Sequence, residues 1–153
     1  MKSVKPIHYS LEFEPNFRNF TFYGKEDVEI FCKSKMREIR LNAAELKIKN
    51  CYLLFNGKKL KAKTFLDEKN EKLRVTLSQK FSGKAILHFD FIGKLNNRLL
   101  GFYRSQYKQN GKTKYIATTQ FEAADARRAF PCWDEPKAKA TFDISIISEN
   151  NKA

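Results

Sequence analysis

Apolar side chains return at every second position along most of this chain. That spacing limits what it can become. In residues 7–14 the apolar members are Ile7, Tyr9, Leu11 and Phe13; Phe20 and Phe22 repeat the step over 20–24, and Val28 and Ile30 over 28–31. Period two places those residues on one face of a strand and leaves the other face polar. The spacing predicts further strands at 38–41, 46–55, 60–66, 72–77, 84–92, 102–107, 114–119 and 140–147. Fourteen Phe and six Tyr fit the same reading, because wide rings suit a pleated surface.

Turn signals separate these runs. Asn56-Gly57 and Asn110-Gly111 read as tight hairpin turns, and Ser82-Gly83 and Asn96-Asn97 as loops. One stretch departs from the pattern. Residues 122–130 hold Ala123, Ala124, Ala126 and Ala129, which favour helix, with Asp125 and Arg128 three apart and able to pair. Pro131 stops such a helix within about two turns. The expected fold class is therefore all-β, mainly antiparallel and sandwich-like, with one short helix. The last residues, 148–153, read as a polar end.

The chain carries 30 basic and 17 acidic residues, a net charge of +13. Such an excess permits an anionic partner without choosing one. Residues 94–115 hold six basic residues (Lys94, Arg98, Arg104, Lys108, Lys112 and Lys114) and no acidic one, interleaved with Phe102, Tyr103, Tyr107 and Tyr115. A second group, Lys58, Lys59, Lys61 and Lys63, adjoins Asn56-Gly57. Basic groups among rings on a β-surface also occur in single-strand binders. A lysine-rich solvated face that guards strand edges is the favoured account of them. No nucleic-acid motif accompanies the charge, so a nucleic-acid or anionic-surface binder stands as an alternative only.

Cys32, Cys51 and Cys132 form no Cys-x-x-Cys pair, and His8 and His88 lie far apart. Neither a zinc ribbon nor a redox pair is signalled. No window approaches the roughly 20 apolar residues of a membrane span, and residues 1–9 have no apolar signal core. The expectation is a soluble, cytoplasmic protein with no membrane partner.

Residues 118–136 are unlike the rest. Thr119-Gln120-Phe121-Glu122 leads into Asp125-Ala126-Arg127-Arg128-Ala129-Phe130-Pro131-Cys132-Trp133-Asp134-Glu135-Pro136, where charged groups crowd around small residues and prolines. A carboxylate at this junction can hold a ligand ammonium group, or it can accept helix N-terminal amide hydrogens. Spacing alone leaves both open. Cys132 reads as a buried filler and Trp133 as packing.

These residues, with Lys139-Ala140-Thr141-Phe142 downstream, resemble the N-terminal domain signature of the aminopeptidase N family. These are zinc metallopeptidases of the puromycin-sensitive and tricorn-interacting-factor type. Leu100-Gly101-Phe102-Tyr103-Arg104-Ser105, Tyr9-Ser10-Leu11 and Phe20-Thr21-Phe22-Tyr23-Gly24 resemble other parts of the same domain. The resemblance implies a saddle-shaped β-domain packed on a catalytic domain. Its Thr-Gln-x-Glu loop would reach the active site, with Glu122 binding the substrate's free α-amine and Gln120 lining the pocket for the first side chain. An ammonium–carboxylate contact would fix the register at the first peptide bond.

The departures matter as much. The family's zinc is held by His-Glu-x-x-His and a further Glu, and this sequence has no such motif. Gly-x-Met-Glu-Asn and the family's oxyanion tyrosine are missing too. Residues 1–153 thus read as an N-terminal β-domain lacking its last strands, with no catalytic residue, no metal ligand and no catalytic domain. The expected function is substrate-amine binding within a zinc aminopeptidase, the chain alone being inactive. The expected partners are a peptide N-terminus and a catalytic domain or the second chain of a split enzyme. A non-catalytic interaction module is the remaining alternative.

Overall fold

The computed structural model describes residues 4–148. Eight strands follow in order: β1 (Val4–Asn16), β2 (Thr21–Asn42), β3 (Lys47–Phe55), β4 (Lys58–Asp67), β5 (Lys72–Lys94), β6 (Gly101–Gln109), β7 (Lys112–Gln120) and β8 (Thr141–Ile146). A single 3-10 turn, Ala126–Arg128, lies between β7 and β8. The fold is all-β. Beyond Ser148, the polar end read at 148–153 lies outside the described residues.

Six strands form one sheet in the order β3-β4-β5-β2-β1-β8, with β3 also paired to β5, while β6 and β7 form a separate hairpin. All pairings are antiparallel except that of β8, which runs parallel to β1. The strands are longer and fewer than alternation suggests. β2 absorbs the three runs at 20–24, 28–31 and 38–41, apart from Phe20, which occupies the turn before it at φ 55°. β5 absorbs those at 72–77 and 84–92. Ser82-Gly83, expected as a loop, lies inside β5, where Gly83 pairs with Cys32. The register shifts there, between Cys32, Met36 and Glu38 on β2, and Gly83 supplies φ 96°. Turn residues also serve bulges, and a bulge bends a strand without ending it. Beyond this irregularity the two halves of β5 take different partners: 72–77 pairs with β4, and 86–92 with β3.

The two Asn-Gly turns behave as read. Asn56 and Gly57 have φ of 49° and 73°, and Asn110 and Gly111 have 51° and 74°. Two successive left-handed residues match the twist of the strands they join.

One face of the sheet is the core. Tyr9, Leu11 and Phe13 of β1, Phe22, Val28 and Ile30 of β2, and Leu87, Phe89 and Phe91 of β5 are all buried. The cover is the root of the β6–β7 hairpin together with the segment after β7. Phe102 stands 5.0 Å from Phe22 and 5.4 Å from Phe13, and Phe130 stands 5.7 Å from Tyr9, as ring centroids. Two glycines make room for rings. A Cβ on Gly24 would lie 2.2 Å from the Phe91 ring, and one on Gly93 would lie 2.2 Å from the Phe22 ring. Gly24 is the register partner of Phe91, and Gly93 that of Phe22.

At β8 the same face runs out from under its cover. Phe142 and Ile144 continue the rows of Tyr9 and Leu11, yet they are 48% and 60% exposed.

The predicted helix over 122–130 contracts to the 3-10 turn. The amides of Ala129 and Phe130 both donate to the Ala126 carbonyl. The flanking backbone is drawn into bonds with β2, described below, and those bonds override alanine's preference.

Glu26 occupies an inward position of β2, between Leu11 and Phe89 in register. It is fully buried, and neither carboxyl oxygen has a hydrogen-bond partner among the described residues. Burial, reinforced by the charge of Asp27, raises its carboxyl well above the usual carboxylate range. A group raised in the folded state contributes stability that is intact below its unfolded value, near pH 4.5. That stability is lost as pH climbs through the higher folded value. We expect Glu26→Gln to flatten this decline. Urea midpoints of the two proteins should diverge with rising pH, by up to ~1.4 kcal/mol per unit while only the wild type titrates. Parallel pH profiles would show that Glu26 ionises in the fold at its ordinary value, and would remove the burial penalty assigned to it.

Candidate functional site

The segment leaving β7 is fastened by its arginines. Arg128 reaches three carboxylates: its Nε donates to Asp125 (2.9 Å), its Nη1 to Glu45 (2.6 Å) and its Nη2 to Glu71 (2.7 Å). Arg127 donates from Nε to Asp134 (2.8 Å) and from Nη1 to Glu71 (3.0 Å). Glu71 therefore bridges both arginines. Asp125 is the partner that sequence spacing suggested for Arg128.

Glu45 and Glu71 escaped sequence reasoning. They sit in the β2–β3 and β4–β5 connections, at φ of 58° and 51°. Glycine or asparagine enters that left-handed region more easily. Glutamate at such a position is the one available signal, since its backbone cost is offset by what its carboxylate binds. Arg98 also donates to Glu45, and this hydrogen bond, against the opposing effect of burial, holds the Glu45 carboxyl below its ordinary value.

The backbone is tied to the same place. The amide of Asn42 donates to the Cys132 carbonyl (2.7 Å), that of Cys132 to the Asn42 carbonyl (2.9 Å), and that of Ala44 to the Arg127 carbonyl (2.9 Å). Asn42 is buried. With its amide oxygen turned toward them, it accepts from Arg127 (3.3 Å) and Lys72 (2.9 Å). Cys132 and Trp133 are buried, as their filler and packing roles require, and burial raises the Cys132 thiol well above its usual range.

Gln120 and Glu122 stand at the head of this anchored segment. Gln120 is the last residue of β7, paired with Gly101, and Glu122 follows two positions later. Both are exposed. The 3-10 turn has Asp125 at its N-cap and no side-chain cap hydrogen bond. Glu122 therefore does not cap that turn, one of its two readings from sequence. It forms no hydrogen bond or ion pair with any described residue, whereas Asp125 and Asp134 are each held by an arginine. Exposed and without a partner among the described residues, the Glu122 carboxylate can take a cationic donor from outside.

The residues present do not fit a zinc centre. His88 is buried, with Nδ1 2.7 Å from Asp27 and Nε2 3.2 Å from Asp90, while the Asp90 carboxylate also accepts from Tyr23 and Asn50. His8 lies on β1 against Thr141 and Asp143 of β8. Among the described residues no group of three or more His, Cys, Asp or Glu could hold a metal ion.

The sequence matches a family model described as the peptidase M1 N-terminal domain over residues 5–153. This chain belongs to the M1 peptidase family. As an M1 N-terminal domain it is 40% identical to Aminopeptidase 2 of Candida albicans, over 96% of this chain and 16% of that protein. It is 38% identical to the puromycin-sensitive aminopeptidase of Caenorhabditis elegans, over 97% of this chain and 16% of that protein. It is 40% identical to Aminopeptidase M1 of Arabidopsis thaliana, over 95% and 17%. The chain thus spans about a sixth of the length of these relatives. No described helix is long and apolar enough to cross a membrane.

In this M1 domain Arg128 holds the segment to two separate connections. Removing it leaves Asp125 without its arginine and Glu45 and Glu71 with one arginine each, so Arg128→Met should cost about 1–3 kcal/mol in urea unfolding. Amide exchange at Ala44 and Cys132 should accelerate, while that at Leu87 in β5 stays protected. Unchanged exchange at Ala44 and Cys132 would mean that the backbone bonds alone fix the segment.

Proposed function

We propose that this domain provides the amine anchor of an M1 aminopeptidase that removes N-terminal residues from peptides. Glu122 takes the α-ammonium group of the substrate, and Gln120 lines the pocket for the first side chain. The observation that carries this reading is the open carboxylate of Glu122 on a segment otherwise saturated with internal ion pairs. A terminal ammonium offers three donors, and holding it sets which peptide bond lies at the reacting centre.

On this reading the metal and its ligands lie outside residues 1–153, and so does the bond-breaking chemistry. A catalytic domain, in the same polypeptide or in a second chain, completes the enzyme. Further strands of the domain then cover β8, whose exposed Phe142 and Ile144 call for an apolar neighbour. A cytoplasmic location goes with the three free cysteines, which suit a reducing compartment.

Aminoacyl-coumarin amides should not be turned over by the purified chain, with or without added zinc. Zinc-dependent turnover that survives repurification would sink the assignment of chemistry to another domain. The anchor itself is tested in a chimera, with this chain replacing the matching part of the Candida albicans aminopeptidase. There Glu122→Gln should raise KM for aminoacyl amides by about 30- to 100-fold, as expected for one lost charged hydrogen bond. An unchanged KM in an active chimera would remove Glu122 from amine binding.

A further inference from the structure

We propose that the outward face of the β6–β7 hairpin, along the edge of β7, docks an extended acidic polypeptide segment. This surface is separate from Glu122 and does not depend on the aminopeptidase reading.

The hairpin is rigid at its root and unpartnered beyond it. Phe20, in the β1–β2 turn, holds it from the body of the sheet. The Arg104 guanidinium lies 4.1 Å over the Phe20 ring, and the Tyr115 ring meets it at 4.9 Å. Arg104 also donates to the Leu95 carbonyl. Register then assigns the two faces. Phe102, Arg104 and Gln106 pair with Thr119, Ala117 and Tyr115 on the face turned to the body. Tyr103, Ser105, Tyr107 and Gln109 pair with Thr118, Ile116, Lys114 and Lys112 on the outward face.

That outward face is mixed in a specific way. Tyr107 and Ile116 are 44% and 49% exposed. Lys112 and Lys114 are exposed and form no ion pair with any described residue. The outer edge of β6 is partly closed at its root, where Asn96 bridges Tyr103. The outer edge of β7 has no strand beside it among the described residues. Its backbone groups are therefore open to an added strand.

Charge selects the occupant. A second copy of the chain would bring its own lysines and a net charge of +13 to the same edge, and like charges side by side disfavour pairing. An acidic strand meets no such barrier. Lys112 and Lys114 are two residues apart, about 7 Å along the strand, so carboxylates at alternate positions of the partner match them. Apolar residues at the next alternate positions would lie against Ile116. Nucleic acid fits less well. The forked donors best suited to phosphate are already occupied, Arg98 by Glu45 and Arg104 by Phe20 and Leu95, which leaves the exposed Tyr107 ring as a stacking plane with lysine and not arginine opposite it.

The test uses the whole chain and an acetylated, amidated Thr-Glu-Thr-Glu-Thr-Val-Thr-Val peptide. Affinity is read by titration calorimetry or fluorescence, and site by backbone amide shifts. Binding should weaken about tenfold in Lys112→Gln/Lys114→Gln, the equivalent of two surface ion pairs. It should change less than about twofold in a control, Lys58→Gln/Lys61→Gln, which removes the same charge from the β3–β4 hairpin. Shifts should concentrate on β7. Equal losses in both variants would overturn the proposal in favour of diffuse attraction. So would equal binding of a peptide of the same composition with its glutamates adjacent. Tighter binding of an oligothymidine of equal charge, sensitive to the same two lysines, would reassign the face to nucleic acid.

Discussion

The antiparallel pairing of β2 with β5 is the spine on which every other element hangs. β1 lies on the far side of β2, β3 and β4 divide the far side of β5 between them, and β8 reaches the sheet only through β1. Strands of 22 and 23 residues accumulate twist along their shared ladder. The irregularity around Cys32–Glu38 and Phe81–Gly83 bends that ladder at mid-length and sharpens its twist there. It also gives β5 two directions, so two hairpin strands of modest length can both find partners on it. The reach of β8 is the opposite case: among the described residues it has one neighbouring strand, and the cover touches it only where Phe130 meets Phe142.

The core is shut by irregular chain rather than by a second large sheet. A loop used as a lid must satisfy its own polar backbone, which is why its bonds to Asn42 and Ala44 matter as much as Phe130 and Trp133. The paired arginines bring the loop against two tight turns. One consequence is electrostatic: the internal carboxylates of the segment are neutralised locally, while Glu122 is left without a partner among the described residues. The lid and the candidate site are therefore one construction, with the burial of Phe130 and the placement of Glu122 determined together.

Much of this was legible in the sequence, for identifiable reasons. Alternation found every strand, because burial on one face of a sheet imprints period two directly. It divided β2 and β5 too finely, since a bulge and a turn use the same small residues. The Ala-rich run suggested a helix because local preference is visible in sequence and the bonds of Arg127 and Arg128 to distant turns are not. Asp125 and Asp134 could be paired with the arginines from proximity in the chain; Glu45 and Glu71, some 80 and 60 positions away, could not. Glu26 lay in plain view as a charged residue at an inward position, yet only the packed sheet reveals that nothing compensates it. The motif around Gln120 and Glu122 was the most readable part, because so many ordered positions coincide with one family.

The two glycines that face phenylalanine rings carry a further consequence. Gly24 yields space to Phe91, and Gly93 to Phe22, across the same pair of strands, and the two rings meet at 87°. The four positions form a crossed set in which each absent side chain is the seat of a large one. Change at any one of them is constrained by its opposite number, so divergence here must proceed by exchange: a ring can shrink only as the glycine across from it grows. Such a quartet works as a register key. Slipping β2 against β5 by two residues would set Phe22 against Phe91 in one direction and Gly24 against Gly93 in the other, and the long ladder would lose the fit that makes its alignment unique.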